Sequence, residues 1–399
     1  MYGQGINQEN IQYLNRELVL RVLRKNEGCS RAELAKITHL KPATITNIIN
    51  ELQELNLVRE SGVISEGKGR SAIRLILNSN AYNVVGIRIA RKYLIVGVFD
   101  VRGDELKSVR CEIESWMNIE DVLERVIKYV HMAIDEWAQG KVVAIGCAIP
   151  GPFLKEEGKV VLVTGMPVWK DCDIKEELKK EFNLPVFMEH DANAGALAYY
   201  WKCGEGLRQT LVYMAVGQGV GAGIVQDGTL MNGQLGIAGE IGHMSINFEG
   251  PYCECGNRGC LEMYCSSIAL RKEIARGIDQ GHFTSLRRDC TLDEIAQAVK
   301  KGDRFVIDCY RKICERLAIG VVNVINMLNP DKLVVDDDFV SVAPDMVCEI
   351  LNKAIRPAIL PQIWDNLEIV IGEGTQAFVL KGVTILAAEE LLREKFASK

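Results

Sequence analysis

Two stretches of this chain carry the same punctuated pattern, and that repeat limits the possible folds more than any other feature. Val84 to Phe99 reads as strand, tight turn, strand, followed by Asp100 and Gly103. Leu211 to Val225 reads the same way, followed by Asp227 and Gly228. Hairpins about 130 residues apart, each leading into alternating helices and strands, predict a duplicated α/β domain with a cleft between its halves. Ile119–Ala138 follows as a helix, Val142–Ala148 as a buried strand and Ala377–Phe396 as a closing helix.

The first 80 residues have a different texture. Asn10–Asn26 carries an apolar stripe with Ile11, Leu14, Leu18, Val19, Val22 and Leu23. Ser30 can cap a short helix over Arg31–Thr38, with Glu33 completing a capping box and Leu34 and Ile37 turned inward. Pro42 suits a first helical turn, and Ile45, Ile48, Ile49 and Leu52 follow at helix spacing. A loop with Gly62 and Gly67–Arg70 then leads to an alternating strand with Ile73, Leu75 and Leu77 on one side. Three helices and a hairpin in this order predict a winged helix-turn-helix. The expected division is 1–80 for this domain, 81–200 with helix 377–399 for the first α/β subdomain, and 201–376 for the second.

Charge separates the same parts. The chain has a net charge of −6, which as an average argues against a polyanion partner. Residues 1–80 hold eleven basic and eight acidic side chains, a net of +3, which leaves −9 for the remainder. Lys41, Thr44, Thr46, Asn47 and Asn50 on the outer face of the third helix are short polar groups able to reach base edges or phosphates, and Lys68 and Arg70 on the wing suit a neighbouring groove. A polar outer face is also what any small helical domain presents to water.

His243, Cys253, Cys255 and Cys260 form H-x9-C-x-C-x4-C, one imidazole and three thiolates for a tetrahedral structural Zn2+. The other ten cysteines show no ligand spacing and read as core or surface thiols. An odd total of 13 cysteines and no signal-like start predict a reducing cytoplasm. The longest uncharged stretch, Gln209–Gln226, is glycine-broken, so no membrane segment is expected. Carboxylates and imidazoles able to bond vicinal hydroxyls gather at Glu189-His190-Asp191-Ala192-Asn193, at Glu240 and His243, and at Glu262 after the last cysteine.

Together, Cys-Glu-Cys-Gly-Asn-Arg-Gly-Cys-Leu-Glu, the preceding Gly-Glu-Ile-Gly-His, Asp-Ala-Asn-Ala-Gly-Ala and the Gly217/219/221/223 loop resemble the ROK family of sugar kinases and sugar-responsive repressors. The resemblance covers residues 82–399, and the front domain is similar to that of the repressor branch. It implies an actin-like fold of two subdomains, with Gly151, His190, Asp191, Glu240, His243 and Glu262 at the sugar and Asp191 at the position of the kinase base. Two departures concern the nucleotide. The kinase turn Asp-x-Gly-Gly-Thr is Arg88-Ile89-Ala90-Arg91-Lys92 here, and the family's Gly-Gly-Gly is Asp336-Asp337-Asp338. The expectation is therefore a non-enzymatic repressor that binds a palindromic operator as a homodimer or higher oligomer and a monosaccharide, with xylose favoured, and binds no ATP. An ATP-dependent sugar kinase with a DNA-binding front is the alternative, and a zinc- or redox-sensing regulator is a third reading.

Overall fold

The computed structural model describes residues 8–66, 70–114, 117–151, 153–154, 159–160, 173–203, 209–372, 374 and 377–397. Lys68 and the Arg70 side chain lie outside the described set. The chain begins with α1 (Gln8–Lys25), α2 (Arg31–Thr38) and α3 (Pro42–Glu54), followed by the antiparallel hairpin β1 (Val58–Glu66) and β2 (Arg70–Leu77). The capping box forms as expected: Glu33 N donates to Ser30 Oγ at 3.2 Å and Ser30 N to Glu33 Oε2 at 2.7 Å. Leu23, Leu34, Ile45, Ile49, Leu52 and Leu75 close a small core of this winged helix-turn-helix.

Some expected core positions point to solvent. Ile11, Leu14, Ile37 and Ile73 are all about half exposed. At 18 residues, α1 is longer than the eight- and thirteen-residue helices it packs on, so its first turns project past the core. A single-sequence stripe cannot show where the neighbouring layer ends.

The body contains two five-stranded sheets. The first comprises β3 (Tyr82–Ile89), β4 (Tyr93–Asp100), β5 (Glu105–Glu112), β6 (Lys141–Ile149) and β9 (Val186–His190), with α4 (Ile119–Met132) and α5 (Ile174–Phe182) packed on it. A two-residue hairpin, β7 (Phe153–Leu154) and β8 (Lys159–Val160), intervenes. After α6 (Asp191–Cys203), the second sheet comprises β10 (Thr210–Val216), β11 (Val220–Gln226), β12 (Thr229–Leu230), β13 (Lys332–Asp336) and β14 (Glu368–Ile371). Helices α7 (Glu262–Cys265), α8 (Ser267–Asp279), α9 (Leu292–Lys300), α10 (Arg304–Leu328), α11 (Pro344–Ile355) and α12 (Pro361–Trp364) belong to this half, and α13 (Ala377–Ala397) closes the chain.

The duplication is visible in the strand order, β5-β4-β3-β6-β9 in one sheet and β12-β11-β10-β13-β14 in the other. In both, an antiparallel hairpin is extended by two parallel strands. Their apolar faces make separate cores. Between them, α6 packs on β10 and β11 and, most extensively, on α13. That crossing is at backbone contact: a Cβ on Gly382 would lie 1.7 Å from the Ala194 carbonyl oxygen. The small residues of the Asp-Ala-Asn-Ala-Gly-Ala run make this approach possible.

The front domain rests on α13 and on the end of α6. Arg24 Nε donates to Val101 O at 3.1 Å, and its Nη1 lies 3.5 Å from Glu389 Oε1. Burial, with Glu17 nearby, pushes the Glu389 carboxyl up to about 8 from its ordinary 4.5. A carboxyl that holds its proton more tightly when folded contributes stability that is full below pH 4.5 and is lost as pH rises through about 8. The thermal midpoint is therefore expected to fall between pH 6 and 9, and Glu389→Gln to flatten that decline, as measured by scanning calorimetry at stepped pH. No helix among the described residues is long and apolar enough to cross a membrane.

Candidate functional site

His243, Cys253, Cys255 and Cys260 come together with their ligand atoms all within 4.8 Å of one another. Cys253 Sγ lies 3.7 Å from His243 Nδ1, and Cys255 Sγ lies 3.7 Å from Cys260 Sγ. Two thiolates bound tetrahedrally at about 2.3 Å would sit roughly 3.8 Å apart, so the donor set and its spacing fit a zinc-like ion. The loop is shaped by its own backbone: Cys253 N donates to Asn257 O at 2.8 Å, and Asn257 Nδ2 donates to His243 O at 3.0 Å. Gly259 has φ +66, and a Cβ there would lie 1.7 Å from Asn247 O, so only glycine fits. Cys260 is fully buried, whereas Cys255 is exposed.

The same loop forms one wall of a cleft between the sheets. The cleft is lined by Gly151 and Pro150 after β6, His190 and Asp191 at the β9–α6 junction, the Gly217–Gly221 turn, and Glu240, His243 and Glu262. The six residues singled out from the sequence thus line one cavity. His243 faces two ways, with Nδ1 3.7 Å from Glu262 Oε1 and Nε2 3.9 Å from Glu240 Oε2. Burial raises the Glu240 carboxyl, opposed by His190 and His243. Glu189 and Asn193 play a different part: Asn193 Nδ2 donates to Glu189 Oε1 at 2.9 Å, which accepts also from His190 N, so this buried pair pins the start of α6. Sequence reasoning gave no weight to Tyr93 or Gln218, which also line the cavity. Gln218 lies within the glycine loop and Tyr93 directly follows the turn of the first hairpin, but neither residue type at its position carried a ligand signal of its own.

On α3, Lys41, Thr46, Asn47 and Asn50 are exposed, and Thr44 is half-buried. The Thr46 hydroxyl donates to Pro42 O at 3.0 Å within its own helix, which leaves Asn47 and Asn50 the freer polar side chains. The geometry is that of a helix held by one apolar face with a polar face outward.

A family model described as ROK family matches residues 84–390, most of the chain. The chain belongs to the ROK family. A MarR family model matches residues 18–71 of the front domain. A xylose repressor of Caldicellulosiruptor bescii is 28% identical over 393 residues, spanning 97% of this chain and 98% of the relative. A solved ROK family transcriptional regulator, a homologue of the E. coli MLC protein, superposes with a TM-score of 0.79 at 27% identity, covering 97% of this chain and 98% of that one. A ROK hexokinase from Thermus thermophilus matches with a TM-score of 0.63 at 26% identity, over 78% of this chain and 99% of its own length. The share of this chain outside the hexokinase corresponds in size to the front domain.

Within this ROK chain, the end of β3, just before the turn of the first hairpin, brings Arg88 into the cleft. Arg88 is 2% exposed, and its Nη2 lies 3.4 Å from Asp191 Oδ2 and 3.2 Å from Asp337 Oδ2. Burial alone would lower the guanidinium pKa, but Tyr93, Asp337 and Asp191 outweigh it and hold Arg88 charged. Burial raises the Asp337 carboxyl to about 7 against the opposing pull of Arg88. Asp337 also has φ +91, rare for any residue but glycine.

Proposed function

We propose that this protein is a sugar-responsive transcriptional repressor, with a monosaccharide of the xylose type as effector and α3 as its DNA-reading helix. The observation that carries this reading is the union in one chain of a MarR-type winged helix, its polar α3 face outward, with a cleft of mixed acceptors and donors suited to a neutral polyhydroxyl ligand. Xylose repressors matched over nearly their whole length support it, as does a solved ROK family transcriptional regulator. Gly151, His190, Asp191, Glu240, His243 and Glu262 are the proposed sugar contacts. Lys41, Thr44, Thr46, Asn47 and Asn50 of α3, with Lys68 and Arg70 of the wing, are the proposed DNA contacts. A single recognition helix reads few bases, so a homodimer on a palindromic operator follows.

His243, Cys253, Cys255 and Cys260 would hold a structural Zn2+, which would fix the loop and the ring orientation of His243 without taking part in a reaction. His243 and Glu240 then present a donor and an acceptor to neighbouring hydroxyls. Asp191, already paired with Arg88, accepts from a ligand hydroxyl rather than drawing a proton from it. The reading needs no ATP, and it is supported by Arg88 and Asp337 standing at the two positions where the family's nucleotide motifs carry other residues.

Helix α6 joins the two sites. It starts at Asp191 in the cleft and ends under the front domain, where the Arg21 and Arg24 guanidinium carbons stand 4.4 and 5.2 Å from the Trp201 ring centroid. A ligand changes operator affinity only through unequal binding to two arrangements of these domains, and the rigid α6–α13 pair is the element that can carry the difference. Trp201→Ala removes the stacking face and is expected to leave sugar affinity within about 3-fold while shrinking the sugar-induced change in operator affinity at least 5-fold, a loss of about 1 kcal/mol of coupling. Calorimetry with the sugar and anisotropy with the operator read the two quantities separately.

The decisive test is a thermal-shift panel of monosaccharides, followed by operator binding with and without those that stabilise the protein. Xylose is expected to raise the melting point and change operator affinity. Operator affinity indifferent to every sugar tried would reject the effector reading. Asp191 keeps the kinase alternative open to test: turnover of sugar with Mg-ATP in a coupled assay, abolished by Asp191→Asn, would establish it in place of the pure repressor.

A further inference from the structure

The end of the cleft formed by the first hairpin and the glycine turn is closed by an ion pair of the chain itself. Arg88 lies on β3 of the first half and Asp337 directly after β13 of the second, so their 3.2 Å contact joins the two halves. The 3.4 Å contact of Arg88 to Asp191 stays within the first half and its connecting helix. Asp337 stands over the glycine turn: a Cβ on Gly217 would come within 3.0 Å of its Oδ2. The backbone that could face a phosphate therefore faces a carboxylate of the protein. Its other oxygen, Oδ1, accepts from Asp338 N at 2.9 Å, so both oxygens are engaged. A non-glycine residue at φ +91 is held there only by surroundings that outweigh the strain: Asp337 N donates to Asp336 Oδ1 at 2.8 Å, Val340 N donates to Asp337 O at 3.0 Å, and Arg88 holds the side chain.

We propose that Arg88 and Asp337 form a latch between the two halves, which stands in for a nucleotide by keeping the walls of the cleft at sugar-binding distance, and that Arg88 is also a positioning residue that orients the Asp191 carboxylate toward the ligand. The inference rests on the reading of the cleft as a monosaccharide site. Its physical logic is that His190 and Asp191 belong to one wall and Glu240, His243 and Glu262 to the other, so neither set alone can enclose a ligand. In a kinase a nucleotide can bridge such walls through its phosphates. Here a buried guanidinium and a carboxyl group, one from each wall, meet where water has little access and screening is weak.

The test uses full-length protein with xylose as the probe and four variants: Arg88→Met, Arg88→Lys, Asp337→Gly, and the double Arg88→Met/Asp337→Gly. Asp337→Gly removes the carboxylate and relieves the backbone, so it folds even if Arg88→Met, which leaves two partly buried carboxylates without their cation, does not. Asp337→Gly and Arg88→Met are each expected to weaken xylose binding at least 10-fold by calorimetry and to increase the sugar-free radius of gyration by scattering. The double variant should be no weaker than the worse single, because both remove one contact. Arg88→Lys should recover part of the affinity, as a merely space-filling side chain would not require. Xylose affinity within 2-fold of wild type in folded Asp337→Gly, with an unchanged radius of gyration, overturns the latch. Should wild type bind no monosaccharide, the cleft reading fails instead, and scattering alone decides: expansion of Asp337→Gly supports the latch and its absence overturns it.

Discussion

Stripping the metal with a strong chelator under reducing conditions, or replacing Cys260 by serine, is expected to abolish the response to sugar while leaving the front domain folded. Cys260 is fully buried, and without the metal the loop's ends would be held only by backbone bonds such as Ile246 N to Gly259 O and Leu261 N to Met244 O, both at 2.9 Å. Structural zinc sites contribute on the order of 10 kcal/mol of apparent binding free energy to small domains, far above what a few loop hydrogen bonds replace. Two cleft groups depend on the loop directly: His243 is itself a member of the cluster, and Glu262 follows Cys260 by two residues. Hydrogen bonds to charged groups contribute about 1.5–3 kcal/mol each, so losing both contacts should weaken sugar binding roughly 100-fold or more. Elemental analysis should find about one zinc per chain in the untreated protein. The winged helix has its own core and should still bind DNA. A metal-free chain that keeps its sugar affinity would show that the four residues hold no structural ion.

The second large effect is expected on α3. Asn47 and Asn50 are exposed, so Asn47→Ala with Asn50→Ala should leave the melting point within about 1 °C. Each side chain that reads a base edge discriminates by about 1–3 kcal/mol, so the double variant should lose roughly 30-fold to 10⁴-fold in operator affinity at fixed salt, measured by fluorescence anisotropy. Thr46→Ala provides the contrast. Its hydroxyl already donates to Pro42 O, so that substitution should cost no more than about 3-fold. If the double asparagine variant binds as wild type does, another surface reads the DNA and α3 serves only to hold the domain together.

The outcomes also separate the two halves of the functional reading. Metal loss should act on the sugar and spare DNA, the α3 substitutions should act on DNA and spare the sugar, and Trp201→Ala should act on neither affinity alone but on the link between them. An enzyme with an incidental DNA-binding front would show no such link.

Much of this architecture was legible along the chain because it rests on local chemistry. The capping box at Ser30 and Glu33, proline at the first turn of α3, the two hairpins and the four clustered ligands all lie within short spans, where spacing alone brings groups together. The same locality explains what was misjudged. Ile37 was expected inside and is half exposed, because the end of a packing layer is set by the lengths of other helices rather than by the periodicity of one. Glu189 and Asn193 had the composition of ligands, yet they bond each other, a choice between neighbours that spacing does not express.

The sequence by itself determined the order of domains, the two hairpins and the ligand set of the loop, since each depends on residues close together in the chain. Only the tertiary structure decided what becomes of the charges. Arg88 and Asp337 are 249 residues apart in the chain and 3.2 Å apart in space. In sequence they were two separate departures from family motifs, Arg88 in place of an aspartate and Asp337 in place of a glycine, but folded together they become an ion pair that closes one end of the cleft. Arg24 and Glu389 likewise meet only when α1 settles on α13. Charge acts through distance and burial, both of which are set by the packing of the whole chain, so the pairing that links the two halves of the cleft could not be read from either segment alone.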